Sequence, residues 1–351
     1  MRTFFFSFLF LSPMALAAVD PGTGADGACT EATITTGAAE YNCTTLTIGA
    51  GTHNFPANPA PYVRVKVQGT VTIASGAVLN LAGGNGQPAS GATAAGIAGA
   101  GGSDGGDNTV GGPSDAPDAP NGGLQGTSDN GGACGAGGGG GGFVNAGTDG
   151  TDCSGAITGG QGGDAYTILA ATFRGGYGGG AGGSTSAGLP ITSATGGGGG
   201  GAIWISAGGD ITIDGNITVK GGNGGSAAAA TNAGGGGGGS GGAIRIQSSG
   251  NITNNGVFTY AGGTGGNGDG AGKNGGAGSV GTYEFEDADN IIQGVGTGAT
   301  SSSSATTETL RSSISCGTVK TKPENLLFQF AFGFALAMLL SRIRDLARRR
   351  A

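Results

Sequence analysis

The densest acidic cluster in this sequence lies near residue 285. Glu284, Glu286, Asp287 and Asp289 supply the oxygen ligands that Ca²⁺ prefers. In a strand, Glu284 and Glu286 share one face because side chains alternate with period two. A solvated strand edge accounts for the same cluster, and no tandem calcium-binding repeat accompanies it. We therefore predict no metal site here.

A second pair of carboxylates, Asp210 and Asp214, comes closest to the paired acids of a glycoside hydrolase. Asn251 and Asn255 replace the pair in the following repeat, and both residue types are expected at turns. The glycine-rich stretches are not followed by the Lys-Ser/Thr of a phosphate loop. We predict that the protein is not an enzyme and uses no cofactor. A carbohydrate-active enzyme is the alternative.

Five cysteines fall into two close pairs and one remainder. In an exported chain, Cys29 with Cys43 and Cys134 with Cys153 predict two local disulfides. Each would contribute about 3 kcal/mol on the chain-entropy model. Free thiols are the alternative, whereas the spacings do not suit zinc and the sequence has only one histidine. Cys316 has no partner in this scheme.

The N-terminus has the composition of a secretory signal peptide. Arg2 provides the positive start, residues 4–11 are apolar, and Ala15 and Ala17 are the small residues that precede a cleavage site. A buried N-terminal strand is the alternative. We predict that residues 1–17 are a signal peptide and that the protein is exported.

The C-terminal segment, 324–351, predicts one transmembrane helix with an arginine-rich tail. Residues 326–340 are apolar except for Gln329, a run shorter than the ~20 residues of a full span. Arginine side chains that reach back to the interface would lengthen it. Because positive residues stay cytoplasmic, the glycine-rich body would face outside. A buried or interfacial amphipathic helix is the alternative.

The order of parts at this end follows a known type of signal. A serine-rich spacer at 301–304 precedes Cys316-Gly317, Pro323-Glu324, the apolar run 326–340 and the arginines at 348–350. This arrangement resembles the tripartite, PEP-CTERM-like sorting signals read by exosortase-type bacterial enzymes, with Pro-Glu where the usual signal has Pro-Glu-Pro. The resemblance implies a sorting enzyme as partner and makes Cys316 a candidate site of processing or lipid attachment. Permanent anchoring by an uncut helix fits the same parts.

The body of the chain contains an ungapped repeat. Residues 196–225 and 237–266 match at a fixed offset of 41 residues, and each copy carries short apolar runs with period two. We predict that the copies stack as rungs, with weaker copies at 62–85 and 283–292. Eleven apolar residues are expected to point inward: Ile203, Ile205, Ile211, Ile213, Ile217, Val219, Ile244, Ile246, Ile252, Phe258 and Tyr260.

These patterns predict an all-β chain: a short parallel β-helix with long glycine-rich loops, plus the C-terminal transmembrane helix. A β-sandwich is the alternative fold. The 86 glycines lack a strict Gly-X-Y period and are accompanied by only 11 prolines, which excludes collagen. Glycine segments can pack side by side as extended chains or be mobile. We expect order near 221–242 and disorder over 86–129.

The predicted organisation has five parts. They are a signal peptide at 1–17, an N-terminal cap at 18–61, a glycine-rich repeat domain at 62–295, a Ser/Thr-rich spacer at 296–323, and the helix with its tail at 324–351.

Outward threonines and low charge indicate the class of function. Thr72, Thr212 and Thr253 would form a column, as would Thr218 and Thr259, which resembles the flat face of ice-binding proteins; threonine is also an ordinary exposed strand residue. Charged residues are only 11% of the chain and no basic stripe occurs, which excludes nucleic acid as partner. We predict an exported structural or adhesive protein anchored at the cell surface, with surface polysaccharide or another cell as partner. An ice or crystal binder is the second alternative.

Overall fold

The fold consists of short strands separated by long glycine-rich segments. The computed structural model describes residues 19–57, 60–88, 94–107, 121–128, 134–153, 157–166, 173–185, 193–229 and 231–287, with the backbone of 292–293 and 302–303. These residues include one short helix, α1 (Glu31–Ile34). The strands are β1 (Gly27–Thr30), β2 (Glu40–Ile48), β3 (Gly51–Asn54), β4 (Val63–Val67), β5 (Val71–Ile73), β6 (Ala77–Asn80), β7 (Ala202–Ala207), β8 (Ile211–Ile213), β9 (Asn216–Thr218), β10 (Ala243–Ser248), β11 (Ile252–Asn254), β12 (Phe258–Thr259), β13 (Thr282–Glu286), β14 (Ile292–Gln293) and β15 (Ser302–Ser303).

The strands form two sheets whose pairs are mostly parallel. The first has ten strands in the order β11-β8-β5-β2-β4-β7-β10-β13-β14, with β1 beside β2, and the second has the order β15-β12-β9-β6-β3. Only β13–β14 and β12–β15 pair antiparallel among the described strands. The predicted stacking at 41 residues is confirmed, since Ile203 pairs with Ile244 and Ile211 with Ile252.

The apolar core consists of inward side chains from both sheets. All eleven residues expected to point inward are buried. They belong to one cluster that also contains Val65, Leu79 and Leu46 from the strands that precede the repeat. Full burial of one such side chain contributes roughly 1.5–3 kcal/mol. The alternation of apolar residues therefore determines which face of each strand lies inside.

The glycine-rich segments form an ordered body, here called the glycine layer: the described residues of 82–201, 219–242 and 260–281. The chain at 137–142 shows how it is bonded. Its successive N–H groups donate to three neighbouring chains in turn, and the same three recur at every third residue. The acceptors, in order, are the carbonyl oxygens of Thr151, Gly235, Leu124, Thr148, Gly238 and Asn121, at 2.9–3.1 Å. A three-residue repeat is that of the extended polyproline-II helix.

Carbonyl groups of the same chain complete the bonding. Those of Gly137 and Gly140 accept from Gly160 and Gly163, and those of Gly138, Gly139 and Gly141 accept from two further chains. One chain is therefore bonded to six neighbours. Extended chains have no internal hydrogen bonds, so these contacts between chains satisfy the buried backbone groups.

Glycine is required because this packing leaves no room for a side chain. A Cβ atom on Gly137, Gly140 or Gly238 would lie closer than 3.0 Å to backbone atoms of a neighbouring chain. The expected order near 221–242 is confirmed. The expected disorder over 86–129 is wrong for its described parts, since Gly96 and Gly126 donate to Gly196 and Ala181 at 2.9 Å.

The predicted fold class is therefore wrong in the form stated. The glycine segments are a bonded layer and not loops on a β-helix. The long strand β2 pairs with β4 through residues 40–43 and with β5 through 46–48, which joins two strand columns into one ten-stranded sheet. The parallel pairing also excludes the β-sandwich alternative. No helix in the described residues is long and apolar enough to cross a membrane, and the segment 324–351 lies outside them.

Both expected disulfides are present. Cys29–Cys43 connects β1 to β2, with Cα atoms 5.6 Å apart. Cys134–Cys153 joins two segments of the glycine layer, with Cα atoms 6.1 Å apart. The predicted cap segment, 18–61, contributes β1, β2 and β3 to the same sheets as the repeat.

Candidate functional site: the outer faces of the glycine layer and the first sheet

In the outermost segments of the glycine layer, every third residue carries an exposed polar side chain. Asn223 and Ser226 are exposed on one chain, and Thr264 and Asn267 occupy the equivalent positions 41 residues later. The side-chain oxygens of Asn223 and Ser226 accept the N–H groups of Thr264 (3.0 Å) and Asn267 (3.2 Å). These side chains thus satisfy backbone donors at the outer surface of the layer.

The sequence contains a sign of this arrangement that our sequence analysis missed. Residues 221–226, 262–267 and 159–164 each consist of two Gly-Gly-X triplets. Rejecting a strict Gly-X-Y period for the whole chain excluded collagen but overlooked these local triplets. A local period of three predicts extended three-fold chains that expose one side chain per turn.

Three neighbouring outer chains enclose a groove, here called the glycine-layer groove, with a volume of about 670 Å³. Its floor includes Gly150, Gly159 and Gly160. Its walls carry Leu124, Gln125, Asp149, Thr151, Asp152, Thr158 and Gln161. All of these wall residues are exposed except Gln125, which is half-buried. The volume is within the ~300–1,000 Å³ range of ligand sites.

Hydrogen bonds fix the two carboxylates of this groove. Oδ1 of Asp149 accepts the N–H of Gly162 at 2.7 Å, and Oδ1 of Asp152 accepts the N–H of Gly159 at 2.6 Å. The Thr158 and Thr127 hydroxyls are 3.2 Å apart. None of the described residues that line the groove is lysine or arginine. The groove is therefore acidic and rich in hydrogen-bonding groups.

The expected threonine column lies on the first sheet and is longer than predicted. Thr72, Thr212 and Thr253 are register partners on β5, β8 and β11, and the column continues through Thr47 to Thr30. Neighbouring strands place these residues about 4.8 Å apart. Thr218 and Thr259 also pair, on the second sheet. Thr30 and Thr47 precede the repeat, which is why periodicity did not identify them.

The carboxylate pair considered for hydrolysis flanks this column and bonds to its own repeat partners. Oδ1 of Asp210 accepts the backbone N–H of Asn251 at 2.8 Å, and Oδ1 of Asp214 accepts from the Asn255 side chain at 2.8 Å. Both aspartates thus connect successive turns. The structure does not bring them to the glycine-layer groove.

A row of register partners on the first sheet, here called the charged ladder, was not identified from the sequence. It consists of Glu40, Arg64, Trp204, Arg245 and Glu284 on β2, β4, β7, β10 and β13. The guanidinium carbons of Arg64 and Arg245 lie 4.4 and 4.6 Å from the Trp204 ring centroid. Such contacts contribute about 0.5–2 kcal/mol each. The ladder consists of residues from segments that are far apart in the sequence, so no local motif predicts it.

The acidic cluster near residue 285 supports this ladder. Arg245, whose side chain is 7% exposed, lies 3.6 Å from Glu284 and 3.5 Å from Glu286. Burial raises the pKa of Glu284 above its ordinary value, although the Arg245 charge opposes this change. Gln247 links the indole N–H of Trp204 (2.6 Å) to the Glu286 carboxylate. Asp287 is buried, and Asp289 lies outside the described residues.

The described part of the chain contains no group of three or more His, Cys, Asp or Glu side chains that could hold a metal ion. Nε2 of His53 lies 3.0 Å from the carbonyl oxygen of Gly49. Cys316 and the other residues of the predicted sorting signal lie outside the described residues, except for the backbone of 302–303.

Comparisons with known proteins give no relative for this architecture. No family model matches the chain, and searches of curated proteins and of solved structures found no match either.

Proposed function

We propose that this chain is an exported structural or adhesive protein of the cell envelope, and that the glycine layer is its working surface. This proposal rests on a single observation, the regular spacing of polar side chains on the outer surface of that layer. Asn223, Ser226, Thr264 and Asn267 stand at three-residue intervals on chains whose backbones are bonded to one another. Such a surface offers many equivalent polar contacts without a single reactive residue.

Export and retention are part of the same proposal. Two disulfides suit an oxidising compartment. The predicted signal peptide at 1–17 and the C-terminal segment at 324–351 supply the route and the means of retention. A sorting enzyme acting near Cys316 is a proposed partner.

The test measures surface exposure and adhesion in the same bacterial host. Intact cells that produce the full chain are treated with a membrane-impermeant lysine reagent, and their adhesion to immobilised polysaccharides is compared with that of non-producing cells. We expect labelling of the chain and increased adhesion. A chain that is protected in intact cells but labelled after lysis would contradict surface exposure. Labelled cells that adhere no better than non-producing cells would contradict the adhesive role.

The threonine column favours a second candidate function, binding to ice or to another regular crystal surface. Five threonines on neighbouring strands give a hydroxyl spacing of about 4.8 Å along the column. Ice growth in the presence of the purified chain tests this candidate, with Thr72→Lys as the variant that disrupts the flat face. Thr52→Lys is the matched control, at an exposed strand threonine of the second sheet whose register partner is Val78. Ice growth unaffected by the wild-type chain, or affected equally by both variants, would rule the candidate out.

A further inference from the structure

We propose that the glycine-layer groove binds a neutral, extended oligosaccharide and is the specific recognition site of this surface. The inference rests on the proposed adhesive function, because it names the site and ligand class through which adhesion operates. Four features of the groove support it: the hydrogen-bonding groups, their fixed positions, the charge, and the repeat of the lining residues.

The hydrogen-bonding groups suit sugar hydroxyls, which donate and accept at the same atom. Gln125, Gln161, Thr151 and Thr158 provide both donors and acceptors, and the aspartates provide acceptors. Leu124, with 41% of its surface exposed, offers an apolar contact for the C–H groups of a sugar ring. A mostly polar groove with one apolar side chain fits a polyol better than a hydrophobic ligand.

Backbone hydrogen bonds hold the acceptors in place before a ligand arrives. Asp149 and Asp152 each use one oxygen to bind an N–H of the neighbouring chain, at Gly162 and Gly159. The other oxygen of each carboxylate is directed by that bond. A site ordered in advance loses less conformational entropy on binding.

Charge restricts the class of ligand. Asp149 and Asp152 give the groove two negative charges, and no lysine or arginine among its described lining residues balances them. An acidic sugar or a phosphate would meet like charges at short range, which is unfavourable. Each carboxylate is already bonded to the backbone, so the groove provides hydrogen-bond acceptors for a neutral sugar.

The lining residues repeat along the groove, which indicates an extended ligand. Leu124 and Thr127, Asp149 and Asp152, and Thr158 and Gln161 are each three residues apart on their chains. One three-residue turn of such a chain rises about 9 Å. The groove therefore presents two sets of side chains about 9 Å apart, each with one aspartate, which fits a chain of sugars better than a single sugar.

The test measures binding to the purified full chain by titration calorimetry, in a detergent without a sugar headgroup. The probes are cellohexaose and maltohexaose as neutral oligosaccharides, hexagalacturonate as the acidic one and chitohexaose with free amines as the cationic one. We expect one of the neutral probes to bind and the acidic probe to bind at least about tenfold more weakly. Failure of both neutral probes, or tighter binding of the acidic or cationic probe, would overturn the proposal.

Variants then assign the binding to the groove. Thr151→Val with Gln161→Ala removes two side-chain hydrogen-bonding groups, and we expect at least about tenfold weaker binding. The matched control is Thr70→Val with Gln68→Ala, which makes the same two changes at exposed residues outside the groove and outside the glycine layer. Equal affinity in the two variants would overturn the assignment.

Adhesion of cells producing the groove variant separates this inference from the proposed function. If these cells adhere as strongly as cells with the wild-type chain, the groove is not the recognition site, although the adhesive function stands. If cells with the wild-type chain do not adhere at all, the adhesive function itself fails. Loss of adhesion only in the groove variant supports both.

Discussion

The backbone N–H of Gly138 donates a hydrogen bond to the carbonyl oxygen of Gly235 across 3.0 Å, and the same contact recurs three residues later between Gly141 and Gly238. This bond connects two segments that are far apart in the sequence and contain no side chains at the contact. Repeated over the layer, it gives an interior built mainly from backbone, with few large side chains such as Phe143 and Tyr177. The stability of the layer then depends on the absence of Cβ atoms.

Substituting a buried glycine of the layer should destabilise the protein strongly. A Cβ atom on Gly238 would lie closer than 3.0 Å to the backbone of Gly263. Overpacking of this kind typically reduces the free energy of unfolding by about 1–3 kcal/mol, and backbone cannot move aside as a side chain can. Urea unfolding of Gly238→Ala measures the effect. The control is Thr264→Ala at an exposed position, for which we expect a change within about 0.5 kcal/mol.

Equal stability of Gly238→Ala and the wild-type chain would contradict the close packing of the layer. The same comparison applies to Gly140→Ala, whose Cβ would meet the backbone of Ala277.

The sequence predicted the stacked strands and the order near 221–242, but not which glycine chains lie side by side, for a physical reason. Burial of Ile203 and Ile244 follows from local alternation, and their pairing follows from the 41-residue offset. The partners of Gly138 are determined by the packing of several distant chains, and identical glycines carry no information about which chain lies beside which. The Gly-Gly-X triplets reveal the period of three but not the neighbours.

The candidate sites show the same difference between features that the sequence predicts and features that only the packing of distant segments determines. Thr72, Thr212 and Thr253 were predicted to align because they occupy equivalent positions in the repeat. Trp204 and Arg245 also occupy equivalent positions, but their contact with Arg64 brings in a strand that precedes the repeat. The glycine-layer groove is formed by three separate chains, so no single chain carries a motif that predicts it.

The Arg245–Glu286 pair should show strong coupling. Both side chains are almost fully buried and lie 3.5 Å apart. Replacing Arg245 alone with Met leaves Glu286 as a buried charge with fewer partners, which typically costs about 3–5 kcal/mol. The double variant Arg245→Met with Glu286→Gln should recover part of that loss. Unfolding free energies of the wild type, both single variants and the double variant give the coupling energy, and additive effects would contradict the pairing.

The ion pairs of Asp20 should make stability depend on pH in the acid range. Asp20 lies 3.0 Å from Lys66 and 3.3 Å from Arg64. The hydrogen bond from Lys66, together with those of the backbone and the nearby charges, lowers the pKa of Asp20. The folded-state pKa is therefore below the unfolded one, so the contribution is present at neutral pH and is lost as pH falls through the lowered pKa.

Asp20→Asn tests this dependence. Because the Asp20 side chain is 48% exposed, we expect a loss of only about 0.2–1 kcal/mol at neutral pH. The difference from the wild type should disappear below the lowered pKa. Unfolding free energies at a series of pH values measure it, and a difference that persists unchanged at low pH would contradict the assignment. Asp26→Asn, which removes a carboxylate bonded to the Asn42 N–H and not to a basic side chain, is the control.

The Cys134–Cys153 disulfide should stabilise the glycine layer. It closes a loop with a sequence separation of 19 residues, for which the chain-entropy model gives about 3 kcal/mol. We expect the double variant Cys134→Ser with Cys153→Ser to lower the free energy of unfolding by about 3 kcal/mol. The matched comparison is Cys29→Ser with Cys43→Ser, in which the cysteines are buried and a polar group would also enter the core. A larger loss in the second variant is expected, and the reverse order would contradict the burial difference.

We expect the C-terminal segment to retain the protein at the membrane. Residues 326–340 contain no charged side chain, and a charge at the centre of a membrane-inserted segment costs about 2.5–3.5 kcal/mol. We expect deletion of 324–351 to release the protein into the soluble fraction, detected by fractionation and immunoblotting. The full-length variant Phe332→Arg with Leu336→Arg should also be released, which separates apolar character from length. A truncated chain that stays with the membrane as firmly as the wild type would show that another part of the protein retains it. A mature protein whose mass corresponds to a C-terminus near Cys316 would instead identify a cleaved sorting signal.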